Sequence, residues 1–185
     1  LTFMKIFFIL VFFIINFQSC SFADDFNFKK IVTLNNPWGS SFISNEEIII
    51  TEKSGKIKLA NVVSKKMIEI KHNLNFLEYG QGGLLDIVYK ENKLWISYTE
   101  DRGNWKTSTS IAKAKFNKKE LIFQNIFQAN PPIDSGYHFG SRLAIKDDYL
   151  FATAGERGQG MIAQDGTKHP GSIIRIHTDG SIPKD

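Results

Sequence analysis

The sequence has 185 residues, a formal net charge of +4 and 42% hydrophobic residues, enough for a sizeable apolar core. Its 23 Lys and Arg nearly balance 19 Asp and Glu, and no nucleic-acid-binding motif is present, so a nucleic acid partner is not expected. The single cysteine, Cys20, excludes an intrachain disulfide, so packing alone must hold the fold together.

The first 23 residues are typical of a secretory signal peptide. Lys5 supplies a positive charge, residues 6–15 form an apolar run, and a small residue at Ser21 precedes Ala23 by two positions. We interpret Met4 as the initiator, which leaves residues 1–3 untranslated, and we place cleavage after Ala23. The sequence thus predicts an exported protein, either periplasmic or secreted.

Two alternatives to a cleaved leader are weaker. The apolar run is shorter than the roughly 20 residues that a membrane-spanning helix needs, so stable membrane insertion is not expected. Cys20 is a candidate lipid acceptor, but Phe17 and Gln18 make a poor lipoprotein cleavage motif. A lipoprotein is therefore the less favoured interpretation.

From residue 24 onward the chain shows almost no helical periodicity. Short apolar or alternating runs recur instead, bounded by Gly, Asn, Asp and Pro, which is the pattern of strands joined by tight turns. The predicted strands include residues 48–50, 56–59, 94–98, 112–116, 150–153 and 173–176. The expected fold class is all-β.

These strands belong to a unit that occurs three times, at residues 38–52, 82–100 and 140–156. Each unit opens with small residues and an apolar strand, turns through acidic or amide residues, and ends a second strand in a glutamate. A basic residue follows each glutamate closely, which we interpret as a solvent-exposed ion pair at a turn. Four strands recurring at a period of roughly 50 residues are typical of β-propeller blades.

A propeller closes with four to eight blades, and this chain supplies about three. We therefore interpret residues 24–185 as the N-terminal part of a propeller domain that is incomplete at its C-terminus. Because such a fragment would leave blade faces uncovered, we expect the fragment alone to be inactive.

Two polar residues occupy equivalent positions before the first strands of adjacent units. Gln81 lies in the glycine-rich residues 79–83, and His138 lies two residues before Gly140. Such loops meet at one end of a propeller's central channel, so both side chains are expected at the same channel mouth. An imidazole can act as a base, and an amide can donate and accept hydrogen bonds. The alternative is that the glycines serve only the turns.

Several motifs together resemble the soluble PQQ-dependent aldose sugar dehydrogenases of the glucose/sorbosone dehydrogenase family. Any one of them is weakly specific, but six in register are quite specific, and they extend from about Trp38 to Asp185. They are residues 36–39, 80–86, 138–143, 155–159, 163–165 and 180–183.

This resemblance implies a six-bladed propeller that holds pyrroloquinoline quinone (PQQ) and Ca²⁺ and oxidises aldoses at the anomeric carbon to lactones. His138 matches the family's general base, and Gln81 matches a residue that contacts the cofactor and substrate region. The Ca²⁺ ligands would follow residue 185, so no metal ligand is assigned here. Tyr137 replaces an aspartate of the glucose-oxidising branch, which favours a broader range of aldoses.

Two other functions remain open. One is a propeller that binds sugars or protein partners without redox chemistry, and the other is a metal-dependent lactonase on the same fold. The sugar, the electron acceptor and the oligomeric state are not specified by the sequence. The remaining histidines, His72, His169 and His177, are interpreted as structural because none has a second ligand at metal-site spacing.

Overall fold

A computed structural model describes residues 27–184, so the predicted signal peptide lies outside the described residues. From Ile31 onward these residues form one compact unit. Its regular structure consists of twelve strands and a 3₁₀ helix, Gly160–Gln164, which confirms the all-β class. Within residues 27–184, no helix is both long and apolar enough to cross a membrane.

The strands form three antiparallel sheets that follow one another along the chain. The first contains β1 (Pro37–Phe42), β2 (Glu47–Glu52), β3 (Lys56–Asn61) and β4 (Met67–His72). The second begins with β5 (Leu84–Lys90), β6 (Lys93–Asp101) and β7 (Thr107–Lys115). A short β8 (Glu120–Leu121) then pairs in parallel with β4, and β9 (Gln124–Gln128) completes the second sheet. The third contains β10 (Gly140–Lys146), β11 (Tyr149–Ala154) and β12 (Ile173–His177).

Each sheet is a propeller blade, and the three blades repeat the same detail. The first strand of every blade has an irregular register near its start, between Pro37 and Ser40, Leu84 and Ile87, and Gly140 and Leu143. The bulges therefore recur with the sequence repeat and bend each innermost strand in the same place.

The small residues that open the units lie where neighbouring blades approach closely. A Cβ at Gly39 would lie 2.7 Å from Cα of Asp86 in the next blade, and one at Gly82 would lie 2.7 Å from the ring of Phe139. Any larger side chain would push the blades apart. Larger side chains are therefore excluded from the start of the innermost strands.

Apolar side chains fill the spaces between the blades. One buried cluster joins blades 1 and 2, including Ile49, Ile57 and Ile87, and another joins blades 2 and 3, including Trp95 and Leu150. Complete burial of an aliphatic side chain contributes about 1.5–3 kcal/mol. The alternating pattern of the strands therefore supplies the packing that a cysteine-poor chain requires.

Hydrogen bonds of one kind also link successive blades. Thr51 Oγ1 in blade 1 donates to the Leu85 carbonyl at 2.5 Å, and Ser97 Oγ in blade 2 donates to the Ser141 carbonyl at 2.7 Å. In both cases a hydroxyl on the second strand of one blade donates to a carbonyl of the innermost strand of the next blade.

The expectation that the repeated glutamates form solvent-exposed ion pairs is wrong for Glu52 and Glu100. Glu52 is only 3% exposed and accepts the Asn35 N–H at 2.7 Å. Glu100 is 7% exposed, and its carboxylate accepts hydrogen bonds from three side chains of the outer strands, Ser110, Asn125 and Gln128. The carboxylates are buried because neutral donors from neighbouring segments replace their hydration.

Candidate active site

The loops before β5 and β10 lie directly against each other. The Gln81 N–H donates to the Gly136 carbonyl at 2.7 Å, and the His138 N–H donates to Gln81 Oε1 at 2.9 Å. Gly80 has a φ of +57°, and a Cβ there would overlap the backbone of Gly136, so glycine is required for this approach. The structure therefore brings Gln81 and His138 together on adjoining loops.

His138 is presented to solvent in an unusual backbone conformation. Its φ is +47°, a region that non-glycine residues seldom occupy, and its side chain is 53% exposed. The bond from its N–H to Gln81 holds this conformation on one side. Gly155 holds it on the other, because only a residue without a Cβ fits against the His138 carbonyl. Such backbone strain is concentrated at functional sites in proteins.

A carboxylate, Glu156, contacts the His138 ring. Nδ1 of His138 and Oε1 of Glu156 are hydrogen-bonded, and the Gly158 N–H donates to the same oxygen at 3.0 Å. Because an ionised carboxylate only accepts, the Nδ1 nitrogen carries the proton. Nε2 of neutral His138 is then a proton acceptor, and it has no hydrogen-bond partner among residues 27–184.

The sequence analysis treats Glu156 as a turn glutamate like the other two, but the pairing of β10 with β11 indicates its contact with His138. Gly140 pairs with Ala154 across the β10–β11 hairpin. Continuing that antiparallel register by two residues sets His138 opposite Glu156. Because the repeat suggested a common role for the three glutamates, the contact between His138 and Glu156 was not predicted.

The surroundings of Glu156 favour its charged form. The hydrogen bond from His138 is the main cause that holds the pKa of Glu156 below its ordinary value of 4.5, and the Gly158 N–H adds to the effect. Glu156 therefore remains ionised, and able to orient the imidazole, into moderately acidic solution.

Replacing Glu156 with glutamine is expected to give a pH-dependent loss of stability. Since the pKa of the folded-state carboxyl is lowered, its contribution to the unfolding free energy is fully present above about pH 4.5 and is lost as the pH falls further. Urea unfolding of both proteins between pH 3 and pH 7 measures the difference. A gap that persists unchanged at pH 3 would contradict this origin.

Arg157, the next residue, lies beneath the His138 loop. It is 3% exposed, and its guanidinium donates to the carbonyls of Tyr137 and Thr107, to Thr107 Oγ1, and to the Ser135 carbonyl. Its centre also lies 3.7 Å from the centroid of the Phe139 ring. Burial lowers the pKa of Arg157 to about 10, which still leaves it charged at neutral pH. Arg157 thus ties residues 135–139 to blade 2.

The other histidines have structural contacts away from this site. His72 Nε2 lies 2.8 Å from the Gly55 carbonyl, His169 Nδ1 accepts the Asn130 N–H at 2.9 Å, and His177 stacks on Tyr149. Arg142 forms an ion pair with the buried carboxylate of Asp86 at 3.2 Å. These contacts agree with the structural interpretation.

The described residues can contact a flat cofactor, but they form no metal centre. Gln81 uses Oε1 to hold His138, and its Nε2 amide has no partner within residues 27–184. The adjacent glycines serve the close approach of neighbouring segments, so the exposed Gln81 amide is the group offered to a ligand here. Across the same residues, no group of three His, Cys, Asp or Glu side chains is arranged to hold a metal ion.

The three blades place this chain among the β-propeller proteins, with a histidine–carboxylate pair and a neighbouring amide on adjoining loops. Residues 34–185 match the glucose/sorbosone dehydrogenase family. Because this match includes most of the chain, the chain belongs to that family, as its motifs predicted.

Comparison with characterised relatives agrees with this assignment. The chain is 30% identical over 162 residues to the aldose sugar dehydrogenase YliI of Escherichia coli (strain K12), covering 82% of the chain and 44% of that protein. The crystal structure of the soluble aldose sugar dehydrogenase from E. coli in its apo-form has a TM-score of 0.77 and 29% identity, covering 82% of the chain and 47% of that structure.

A third relative supports the fold alone. The PQQ-bound aldose sugar dehydrogenase from Streptomyces coelicolor has a TM-score of 0.73 at 21% identity, covering 82% of the chain and 48% of that structure. The chain therefore spans somewhat less than half the length of these relatives.

Proposed function

We propose that the full-length protein is a quinoprotein dehydrogenase that oxidises aldose sugars at the anomeric carbon to lactones. The observation that carries this proposal is the hydrogen-bonded His138–Glu156 pair beside Gln81, in a chain of this family. Its cofactors would be PQQ and Ca²⁺, its substrate a small aldose, and its electron acceptor a molecule still to be identified.

His138 would act as the general base. Its unprotonated Nε2 accepts the proton of the anomeric hydroxyl, while Glu156 stabilises the positive charge that the ring acquires. The carboxylate also fixes the tautomer and the orientation of the ring, as the third member of a catalytic triad does. When bound, PQQ supplies the two-electron acceptor for the hydride and Ca²⁺ a Lewis acid beside it.

Gln81 would hold one edge of the cofactor through its Nε2 amide. The same side chain holds the His138 backbone through Oε1, so it would set the distance between the base and the bound ring. The remaining cofactor contacts and the Ca²⁺ ligands are proposed to lie outside residues 27–184. Tyr137, next to the base, favours a broad range of aldoses.

We also propose that the protein works outside the cytoplasm, in the periplasm or after secretion, on the basis of residues 1–23. Removal of these residues would leave Asp24 at the mature N-terminus. Intact-mass measurement of the protein recovered from the exported fraction tests this, and a retained leader would contradict it.

Dye reduction by the loaded protein tests the proposed activity. Full-length protein that has been stripped and then supplied with both PQQ and Ca²⁺ is expected to reduce an artificial dye when aldoses are added, and to lose most of that rate when either is withheld. Sugar alcohols, which have no anomeric hydroxyl, serve as the control substrates. Sugar binding without dye reduction would favour the non-redox propeller, and metal-dependent lactone hydrolysis would favour the lactonase.

A further inference from the structure

Trp105 lies in the β6–β7 connection and is 65% exposed, despite its large apolar ring. Three consecutive residues there, Gly103, Asn104 and Trp105, have positive φ values of 77°, 53° and 61°. A tryptophan in this conformation is a backbone outlier, and such outliers are concentrated at ligand-binding sites. The loop therefore holds this ring in solvent through a strained backbone.

Trp105 lies beside the loop that carries Gln81. Its ring centroid is 6.0 Å from that of Tyr79, with an angle of 53° between the planes. Tyr79 precedes Gln81 by two residues, and its hydroxyl donates to Asp134 Oδ1 at 3.3 Å. The aromatic contact thus places Trp105 at the border of the candidate active site.

A third ring, which is exposed like that of Trp105, extends this surface to His138 itself. Tyr137 is 62% exposed, and its ring centroid lies 6.2 Å from that of His138. The loops carrying Tyr79 and Tyr137 are joined by the hydrogen bond from the Gln81 N–H to the Gly136 carbonyl. Trp105, Tyr79 and Tyr137, here called the aromatic rim, therefore lie on adjoining loops beside Gln81 and His138.

One member of the aromatic rim, Trp105, lines a cavity of about 390 Å³. Leu77 and Trp105 supply its apolar lining, and Asp101 and Asn104 add polar groups. This volume falls within the range of about 300–1,000 Å³ that is typical of small-molecule sites. A sugar ring presents an apolar C–H face and a border of hydroxyls, which suits aromatic rings with a few polar neighbours.

We propose that the aromatic rim binds the second ring of a disaccharide or longer oligosaccharide whose reducing-end ring lies at His138. Trp105 would stack on that second ring, and the polar groups beside it would hydrogen-bond its hydroxyls. The inference rests on the proposed function, since a second subsite presupposes an aldose at the base. It makes short oligosaccharides, rather than free monosaccharides, the favoured substrate class.

Steady-state kinetics of Trp105→Ala on glucose, cellobiose and maltose test this subsite. The ratio of kcat/KM for the preferred disaccharide to that for glucose is expected to fall about tenfold, mainly through a higher KM for the disaccharide. Phe42→Ala is the matched control, because Phe42 is also an exposed aromatic residue (58%) but ends β1 away from the site. An equal loss on all three sugars, or no loss, would overturn the subsite.

Calorimetry on the cofactor-free full-length protein separates this inference from the dehydrogenase proposal. Methyl β-cellobioside and methyl β-maltoside have blocked anomeric hydroxyls and cannot be oxidised there. The wild type and Phe42→Ala are expected to bind one of them, and Trp105→Ala to bind it at least about tenfold more weakly. Absent binding by the wild type, or equal binding by Trp105→Ala, overturns the subsite. If that difference appears but the loaded protein reduces no dye, the subsite stands and the dehydrogenase proposal fails.

Discussion

Replacing His138 with alanine is expected to lower kcat of the PQQ- and Ca²⁺-loaded full-length protein by about 10²–10⁴-fold, the usual contribution of a positioned general base. The reason is local: Nε2 is the proposed proton-accepting atom, and Glu156 can orient and stabilise only an imidazole. Because the His138 side chain is half exposed, its removal should leave the fold intact.

Cofactor binding and a second histidine variant make this test specific. PQQ titration followed by absorbance should give a similar Kd for His138→Ala and wild type, since the proposed cofactor contact is Gln81. His177→Ala, which removes a ring stacked on Tyr149, should retain the wild-type rate. An unchanged rate in His138→Ala would exclude His138 as the base, whereas a lost PQQ site would mean that it has another role.

Arg157→Ala is expected to lower the free energy of unfolding by about 2–4 kcal/mol, because it removes hydrogen-bond donors from several buried acceptors. Thr107 is fully buried: its hydroxyl oxygen loses the donor from Arg157, and its carbonyl keeps only the Ile133 N–H. Phe139 also loses the guanidinium that covers its ring. The backbone of residues 135–139 would then be less firmly held, so kcat should fall together with stability.

Urea unfolding monitored by fluorescence gives this free energy, and Arg142→Ala provides the comparison. The Arg142 side chain is 69% exposed, and its ion pair with Asp86 is expected to contribute about 1 kcal/mol or less. If both variants cost the same, the hydrogen bonds of Arg157 do not stabilise the loop as proposed. If Arg157→Ala lowers the free energy of unfolding as predicted but leaves kcat unchanged, the loop holds His138 in place without Arg157.

Much of the fold was predictable because strands and blades both leave a periodic pattern of residues in the sequence. Period-2 alternation and glycine-bounded turns identified all six predicted strands, which lie in β2, β3, β6, β7, β11 and β12. The repeat also set Gln81 and His138 in equivalent loops, and equivalent loops of adjacent blades are neighbours. The predicted proximity of the two residues therefore needed no knowledge of their contacts.

Burial of the repeated glutamates was not predictable in the same way. The donors to Glu100 come from residues 10–28 positions further along the chain, in strands that belong to the same blade but follow no spacing rule. Nor does a tryptophan in a polar loop reveal whether it packs inward. The exposure of Trp105 depends on three successive backbone angles, which composition and periodicity do not determine.

The parallel pairing of β8 with β4 protects the first blade from unwanted association. An outermost strand carries unpaired N–H and C=O groups, which can recruit a strand from another molecule. Two residues of β8, Glu120 and Leu121, pair with Lys71 and His72 at that edge. Lys118, just before β8, adds an ion pair to Glu47 at 2.7 Å. The second blade thus shields part of the first blade's edge from intermolecular β-sheet growth.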